Sequence, residues 1–212
     1  MQTPEVLTER AGVWAVLKPA GWRMHPAGDD PTPTLTDWLE AQAPGLRPAH
    51  RLDQGTSGLV LCAVDPALRG ALGKAFQEGR VSKTYLALVY GRARRKGIVR
   101  KPLADGRRGR PLPAVTRYGL AEWVGAFSLL RVRPETGRKH QIRRHLAGIG
   151  HPLVGDDRYG PGQRRPVPAF PGRLWLHAHR LVWTRADGET LVFEAPLPQD
   201  LEAHLQALRE SA

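Results

Sequence analysis

Cysteine is almost absent from this chain: Cys62 is the single one in 212 residues. That excludes an internal disulfide and any metal site built from several thiolates. It also suits a reducing, cytoplasmic compartment. No apolar run approaches the length of a membrane-spanning helix. The first residues, MQTPEVLTERAGVWAVLKP, lack the basic start and long apolar stretch of a signal peptide. Acid is scarce relative to base, with 20 Asp and Glu against 32 Lys and Arg, a net charge of +12 and a pI near 10.8. A field of that sign favours polyanions. A GC-rich genome would also inflate arginine, but evenly. Here residues 91–118, GRARRKGIVRKPLADGRRGRPLPAVTRY, hold ten Lys and Arg against Asp105 alone, and supply +9 of the +12. A clustered excess points to a contact surface for nucleic acid.

Hydrophobic residues make up 41% of what is present, enough for a real core in a chain of this length. VWAVLKP (13–19) reads as a strand closed by proline, and AGWRMHPAGDDPTP as loop. Thr34 or Thr36 is placed to cap a short helix carrying Leu35, Trp38 and Leu39. SGLVLCAV is a nearly continuous apolar run, hence a buried strand. PALRGALGKAFQEG (66–79) opens with proline and closes with glycine, as helices do. SKTYLALVYG alternates like a strand, and the basic segment after it is expected as a hairpin or loop at a sheet edge. AFSLLRVRPETG is a further strand. HQIRRHLAGIG places Ile142, Leu146 and Ile149 on one helical face and ends in Gly-Ile-Gly. RLWLHAHRLVW and ETLVFEAP are late strands, and QDLEAHLQALRE is a last helix. The expected class is α+β, a mixed, largely antiparallel central sheet flanked by helices and loops; the length allows one large domain or two small subdomains, and a single domain over 1–212 is expected.

Four stretches carry candidate chemistry, and each has a bland reading. Asp53 in HRLDQGTSGL, with Arg51 beside it, is the residue type that caps turns. Tyr85, two after Lys83 in KTY, is an ordinary core tyrosine when taken alone. ETGRKHQIRRH (135–145) gathers Arg138, His140, Arg143 and Arg144 at the start of a helix, where such charges are usually solvated. HPLVGDDRYG (151–160) is a loop bracketed by glycines. The histidines, including the HAH pair His177 and His179, invite a metal reading, but no ligand pattern with cysteine or clustered carboxylates supports it. Ser57 in GTSG is not the nucleophile elbow of serine hydrolases.

Together, HRLDQGTSGL, KTYLALVYG, ETGRKHQIRRHLAGIGHPLVGDDRYG, LHAHRL and FEAPLPQDL resemble, in order, the motifs of the RluA-type pseudouridine synthases. The resemblance runs from Val13 to Leu201. It implies the pseudouridine synthase fold and an isomerase that turns uridine in rRNA or tRNA into its C-glycoside isomer without a cofactor or metal. It makes Asp53 the catalytic carboxylate, Tyr85 the ring stacked on the target base, and Arg143 the guanidinium that keeps Asp53 ionised through a forked, charge-assisted pair. Carboxylates attack anomeric carbons in glycosidases, so attack at C1′ has an analogue, and abstraction of a sugar proton is the other route. Arg51 is expected near the RNA, where a flipped nucleotide leaves a gap. Lys83, Arg94, Arg95, Lys96, Arg138 and His140 are the other expected RNA contacts, with the arginines and lysines of 92–110 the candidates for touching phosphate.

Several members of that family begin with an S4-type RNA-binding domain. Here the motifs start almost at Val13, so the basic segment is expected to supply RNA affinity in its place, in a monomer. Two other readings compete. A non-catalytic RNA-binding or ribosome-assembly module explains the charge but not an intact Asp53, Tyr85 and Arg143. A glycosidic hydrolase lacks a second carboxylate in a suitable pattern: Glu135, Asp156 and Asp157 are the acids near the motifs, and none reads as an acid–base partner.

Overall fold

The computed structural model describes residues 2–28, 30–104, 109–160 and 167–211. In chain order its elements begin with strands β1 (Glu5–Arg10) and β2 (Val13–Lys18), helix α1 (Leu35–Gln42), strands β3 (Arg47–Pro48) and β4 (Ser57–Ala63), and helix α2 (Pro66–Gln77). Strands β5 (Val81–Tyr90), β6 (Lys96–Val99), β7 (Leu103–Ala104), β8 (Pro111–Leu112), β9 (Thr116–Val124) and β10 (Phe127–Pro134) follow. Helix α3 (Gln141–Gly148), strands β11 (Leu176–Thr184) and β12 (Thr190–Glu194), and helix α4 (Gln199–Glu210) complete the described chain. It divides into two compact units, Met1–Ser82 with Ala178–Ala195, and Lys83–His177 with Pro196–Ala212.

In the first unit the strand order is β1-β2-β4-β11, with β12 beside β11 and β3 beside β4. Ala11 and Gly12 join β1 to β2, both at positive φ (50° and 75°). That is the backbone a two-residue hairpin turn requires. Of the two candidate caps for α1, Thr34 serves: its hydroxyl accepts the Asp37 N–H at 3.3 Å. Helix α2 starts at Pro66, and the Asp65 carboxylate accepts the N–H groups of Ala67 and Leu68. All seven residues of β4 are buried, as its unbroken apolar run predicts. Leu59 and Leu61 pack with Leu72 and Ala75 of α2 and with Trp183 and Phe193. Cys62 is fully buried in the same strand.

In the second unit the order is β5-β10-β9-β6, and every register in it is antiparallel. The pairings put Tyr85, Val132, Tyr118 and Gly97 in one row across four strands. That row faces α3, whose Ile142 and Leu146 pack with Leu130, Val132 and Tyr118. Alternate residues point the other way. There Leu201, Leu205 and Leu208 of α4 pack with Leu88 and Leu129.

The basic segment supplies β6, which lies at the sheet edge and ends the strand order, and β7 and β8, which pair with each other in a separate two-stranded sheet. Residues 105–108 within it lie outside the described residues. One helical expectation fails. Ile149 is 38% exposed because α3 stops at Gly148, and Gly150 at φ +84° turns the chain away. The N–H groups of Gly150 and His151 then close on the carbonyls of Ala147 and Leu146, a left-handed helix stop in which the apolar period no longer applies.

Candidate active site

Asp53 sits in the first unit, half-buried, four residues before β4. Its neighbours hold the main chain on both sides. Leu52 is buried. The Leu61 N–H donates to His50 Nε2 at 2.9 Å, and the His50 ring stacks on Phe76 with centroids 4.0 Å apart. On the far side, Gln54 and Gly21 exchange bonds: the Gly21 N–H donates to the Gln54 carbonyl at 2.8 Å, and the Gln54 amide donates to the Gly21 carbonyl at 3.1 Å. Beneath them lies Lys18, whose side chain has no solvent exposure. Its ammonium donates to the carbonyls of Pro19 (2.8 Å), Trp22 (2.9 Å) and Gln54 (3.3 Å). A buried ammonium must find acceptors, and main-chain carbonyls supply them. The Thr56 N–H donates to the Asp53 carbonyl at 3.0 Å, so the turn is closed by main chain. Arg51 is exposed.

In the second unit, Lys83 and Tyr85 lie two apart on β5 and share a face. Both are half-buried, and burial lowers the Lys83 pKa. Helix α3 is fixed to β9 by a chain of polar contacts. Thr136 Oγ1 donates to Gln141 Oε1 (2.7 Å), Gln141 Nε2 donates to Thr116 Oγ1 (2.9 Å), and Thr116 Oγ1 lies 2.9 Å from His145 Nδ1. His145 Nε2 reaches the Lys101 carbonyl at 2.8 Å. Burial lowers the His145 pKa, helped by Arg144 and Lys101 and opposed by that carbonyl bond, so the ring is held neutral.

With those side chains facing β9, Arg143 is presented to the glycine-bracketed loop. Its Nε donates to Asp156 Oδ2 at 2.8 Å and its Nη2 to Asp156 Oδ1 at 2.7 Å, with Asp157 Oδ1 at 3.0 Å from Nη2. The Asp156 side chain is fully buried and Arg143 nearly so. Burial would raise the Asp156 pKa. The Arg143 bonds, aided by the N–H groups of Tyr159 and Arg158, outweigh it and hold the carboxyl below its ordinary value. The Tyr159 ring lies 5.2 Å from the Arg143 guanidinium carbon, and its hydroxyl is 3.1 Å from His140 Nδ1. His140 is in the left-handed region at φ 52°, a costly conformation for a residue with a side chain. The bracketing glycines are required. A Cβ on Gly155 would lie 2.2 Å from the Arg173 carbonyl oxygen, and one on Gly160 would lie 2.1 Å from that of Asp156.

The second unit thus brings Arg143 and His140 together around Tyr159. It sends Arg138 elsewhere, its Nε donating to the Pro113 carbonyl at 3.1 Å. Arg94, Arg95 and Lys96 are exposed at the β6 edge, where Arg92 and Arg95 lie over the Trp123 ring. Sequence reasoning missed three residues. Asp156 was left without a role, although the glycine-bracketed loop that carries it was singled out. Tyr159 went unread in the same loop. Lys18 was read as a strand end, and no local pattern betrays its carbonyl cage. His179 Nδ1 donates to the Ala195 carbonyl at 2.7 Å. Among the described residues, no group of three or more His, Cys, Asp or Glu is placed to hold a metal. No helix among them is long and apolar enough to cross a membrane.

Comparison with known proteins gives a consistent result. Residues 12–148 match a family model described as RNA pseudouridylate synthase. An uncharacterized RNA pseudouridine synthase of Chloroflexus aurantiacus is 41% identical over 92% of this chain and 66% of its own length. Ribosomal large subunit pseudouridine synthase D of Nitrosomonas europaea is 37% identical over 97% of this chain and 65% of its own. The chain therefore spans about two thirds of the length of these curated relatives. The solved structure of human RNA pseudouridylate synthase domain containing 1 superposes with a TM-score of 0.75 at 28% identity, over 98% of this chain and 95% of that one. Human RNA pseudouridylate synthase domain containing 4 superposes at 0.81 and 24% identity, over 96% and 92%, and so shares the fold.

Proposed function

Because the chain belongs to the RNA pseudouridylate synthase family, we propose that it isomerises specific uridines of ribosomal or transfer RNA to pseudouridine, with Asp53 as the catalytic carboxylate. In that reaction the N1–C1′ bond of uridine breaks, the uracil turns over, and C5 bonds to C1′. The C5 hydrogen leaves as a proton and N1 is protonated, so no net oxidation or group transfer occurs. Asp53 assists departure of uracil either by bonding to C1′ or by removing a sugar proton. Tyr85 offers a flat ring to a base drawn out of its stack. Arg143 supplies positive charge that keeps the reacting carboxylate ionised. Arg51, Lys83, Arg94, Arg95, Lys96, Arg138 and His140 are the proposed RNA contacts.

The observation that carries this reading is the fixing of the Asp53 turn: Leu52 buried on one side, and on the other Gln54 tied to Gly21 and to the buried Lys18 ammonium. A carboxylate that must meet one carbon atom needs a main chain that does not drift. Ribosomal RNA is favoured because the relative in Nitrosomonas europaea is named as a large-subunit enzyme. The test is to incubate the protein and Asp53→Ala with unmodified tRNA and large-subunit rRNA transcripts and to map pseudouridine by carbodiimide-dependent stops. A stop made by the wild type and absent with Asp53→Ala is expected. Tight RNA binding with no new stop on any transcript would replace the enzyme by a binding module.

A further inference from the structure

The face of the second unit's sheet opposite Tyr85 is only partly covered. Helix α4 packs over Leu88 and Leu129, and the same face continues beyond it. There the register lays out two rows. Lys96, Gly119 and Arg131 stand opposite one another across β6, β9 and β10, and Ile98, Arg117 and Arg133 form the next row. Lys96, Ile98, Arg117, Arg131 and Arg133 are all exposed, Ile98 to 41%. Gly119 has no side chain to fill the space between Lys96 and Arg131, and a Cβ placed on it would touch nothing within 4 Å. The result is a flat floor edged by four cations.

This arrangement costs stability. Arg117 stands directly opposite Arg133, and like charges in such pairs repel. Among the described residues one acid answers the group, Glu135, which pairs with Arg117. Among the described residues, Lys96, Arg131 and Arg133 have no ion pair. Some surface arginines elsewhere do: Arg47 with Glu40, Arg180 with Glu194, and Arg209 with Glu122. Unanswered cations in register on an uncovered sheet face are what a polyanion would neutralise.

We propose that this open face is a second RNA-binding surface, which holds phosphates of the substrate RNA on the side of the sheet opposite Tyr85. The choice of ligand rests on the proposed function, in which RNA is the substrate. Its role is to anchor RNA flanking the target uridine, so it contributes affinity and leaves the chemistry to residues elsewhere.

The test is a binding measurement that does not depend on turnover. A fluorescein-labelled 20-nucleotide oligouridylate is titrated with the protein by anisotropy from 50 to 200 mM salt. For the double variant Arg131→Ser with Arg133→Ser, binding should weaken, and the slope of log affinity against log salt should shrink by about 1.4, two single-strand phosphate contacts. Arg131→Lys with Arg133→Lys keeps both charges and should keep the slope. Arg10→Ser with Arg80→Ser removes the same charge from the first unit and should leave it unchanged. A serine variant with the wild-type affinity and slope, or one matched by the first-unit control, would overturn the proposal. Failure of the pseudouridine assay with this slope change intact would instead count against the enzyme.

Discussion

The two units fix their central side chains by different means. Around Asp53 the holding bonds go to main-chain carbonyls, with one buried ammonium, Lys18, gathering three of them. Around Arg143 the holding bonds go to a buried carboxylate, Asp156, in a forked pair closed by a tyrosine ring. A carbonyl does not titrate, and a lysine stays charged through the acid range. A carboxylate does titrate. The Lys18 cage of the first unit is therefore indifferent to acid, whereas the fork of the second unit is one that acid dismantles. A reacting group is best served by the first kind of support, and a guanidinium that must stay in one plane by the second.

The largest test of this contrast is Asp156→Ala. It leaves the Arg143 guanidinium buried without its forked partner, which costs about 3–5 kcal/mol. Chemical denaturation should show that loss, and amide exchange should locate the loosening in α3 and residues 153–160. Protection confined to its wild-type values there would mean the pair is ornamental. Lys18→Met is the matching change in the first unit. It strands the carbonyls of Pro19, Trp22 and Gln54 while sparing the cost of burying a charge, so a net loss of about 1–3 kcal/mol is expected. Exchange at Gly21 and Leu61 would report it.

Acid should do part of what Asp156→Ala does, and in the second unit first. His145, depressed by burial above all, and His204, depressed by burial against the opposing pull of its Pro168 carbonyl bond, both lie there. A histidine depressed in the fold takes up its proton only after unfolding, so stability falls as pH drops below about 6.5. The depressed Asp156 carboxyl contributes stability above the ordinary carboxylate range, and that share is lost as pH falls from about 4 through its folded value. Residue-resolved exchange at pH 7 and pH 5 should show α3 and α4 opening before β4. Equal loss in both units would erase the contrast.

Local chemistry made much of this legible. Thr34 as a cap, Pro66 at a helix start and the wholly apolar β4 each follow from rules that act within a few residues. β1 went unread because EVLTER is half polar and becomes a strand through its pairing with β2. β9 starts inside the basic segment and went unread, since Arg117, Gly119 and Glu122 break up an alternation that only the register reveals. The types and order of Asp53, Tyr85 and Arg143, the proposed site residues, were readable in the motifs. The Asp156 fork and the Lys18 cage were not, because each joins residues that neither helical nor strand period connects.

Cys62, fully buried in β4 with its thiol pushed well up by burial, has a practical consequence. A thiol in that state does not react with alkylating reagents until the strand is exposed. The chain thus carries a built-in chemical clock. The rate at which iodoacetamide modifies Cys62 measures how often the first unit opens, in unlabelled protein, and each substitution above can be timed against it.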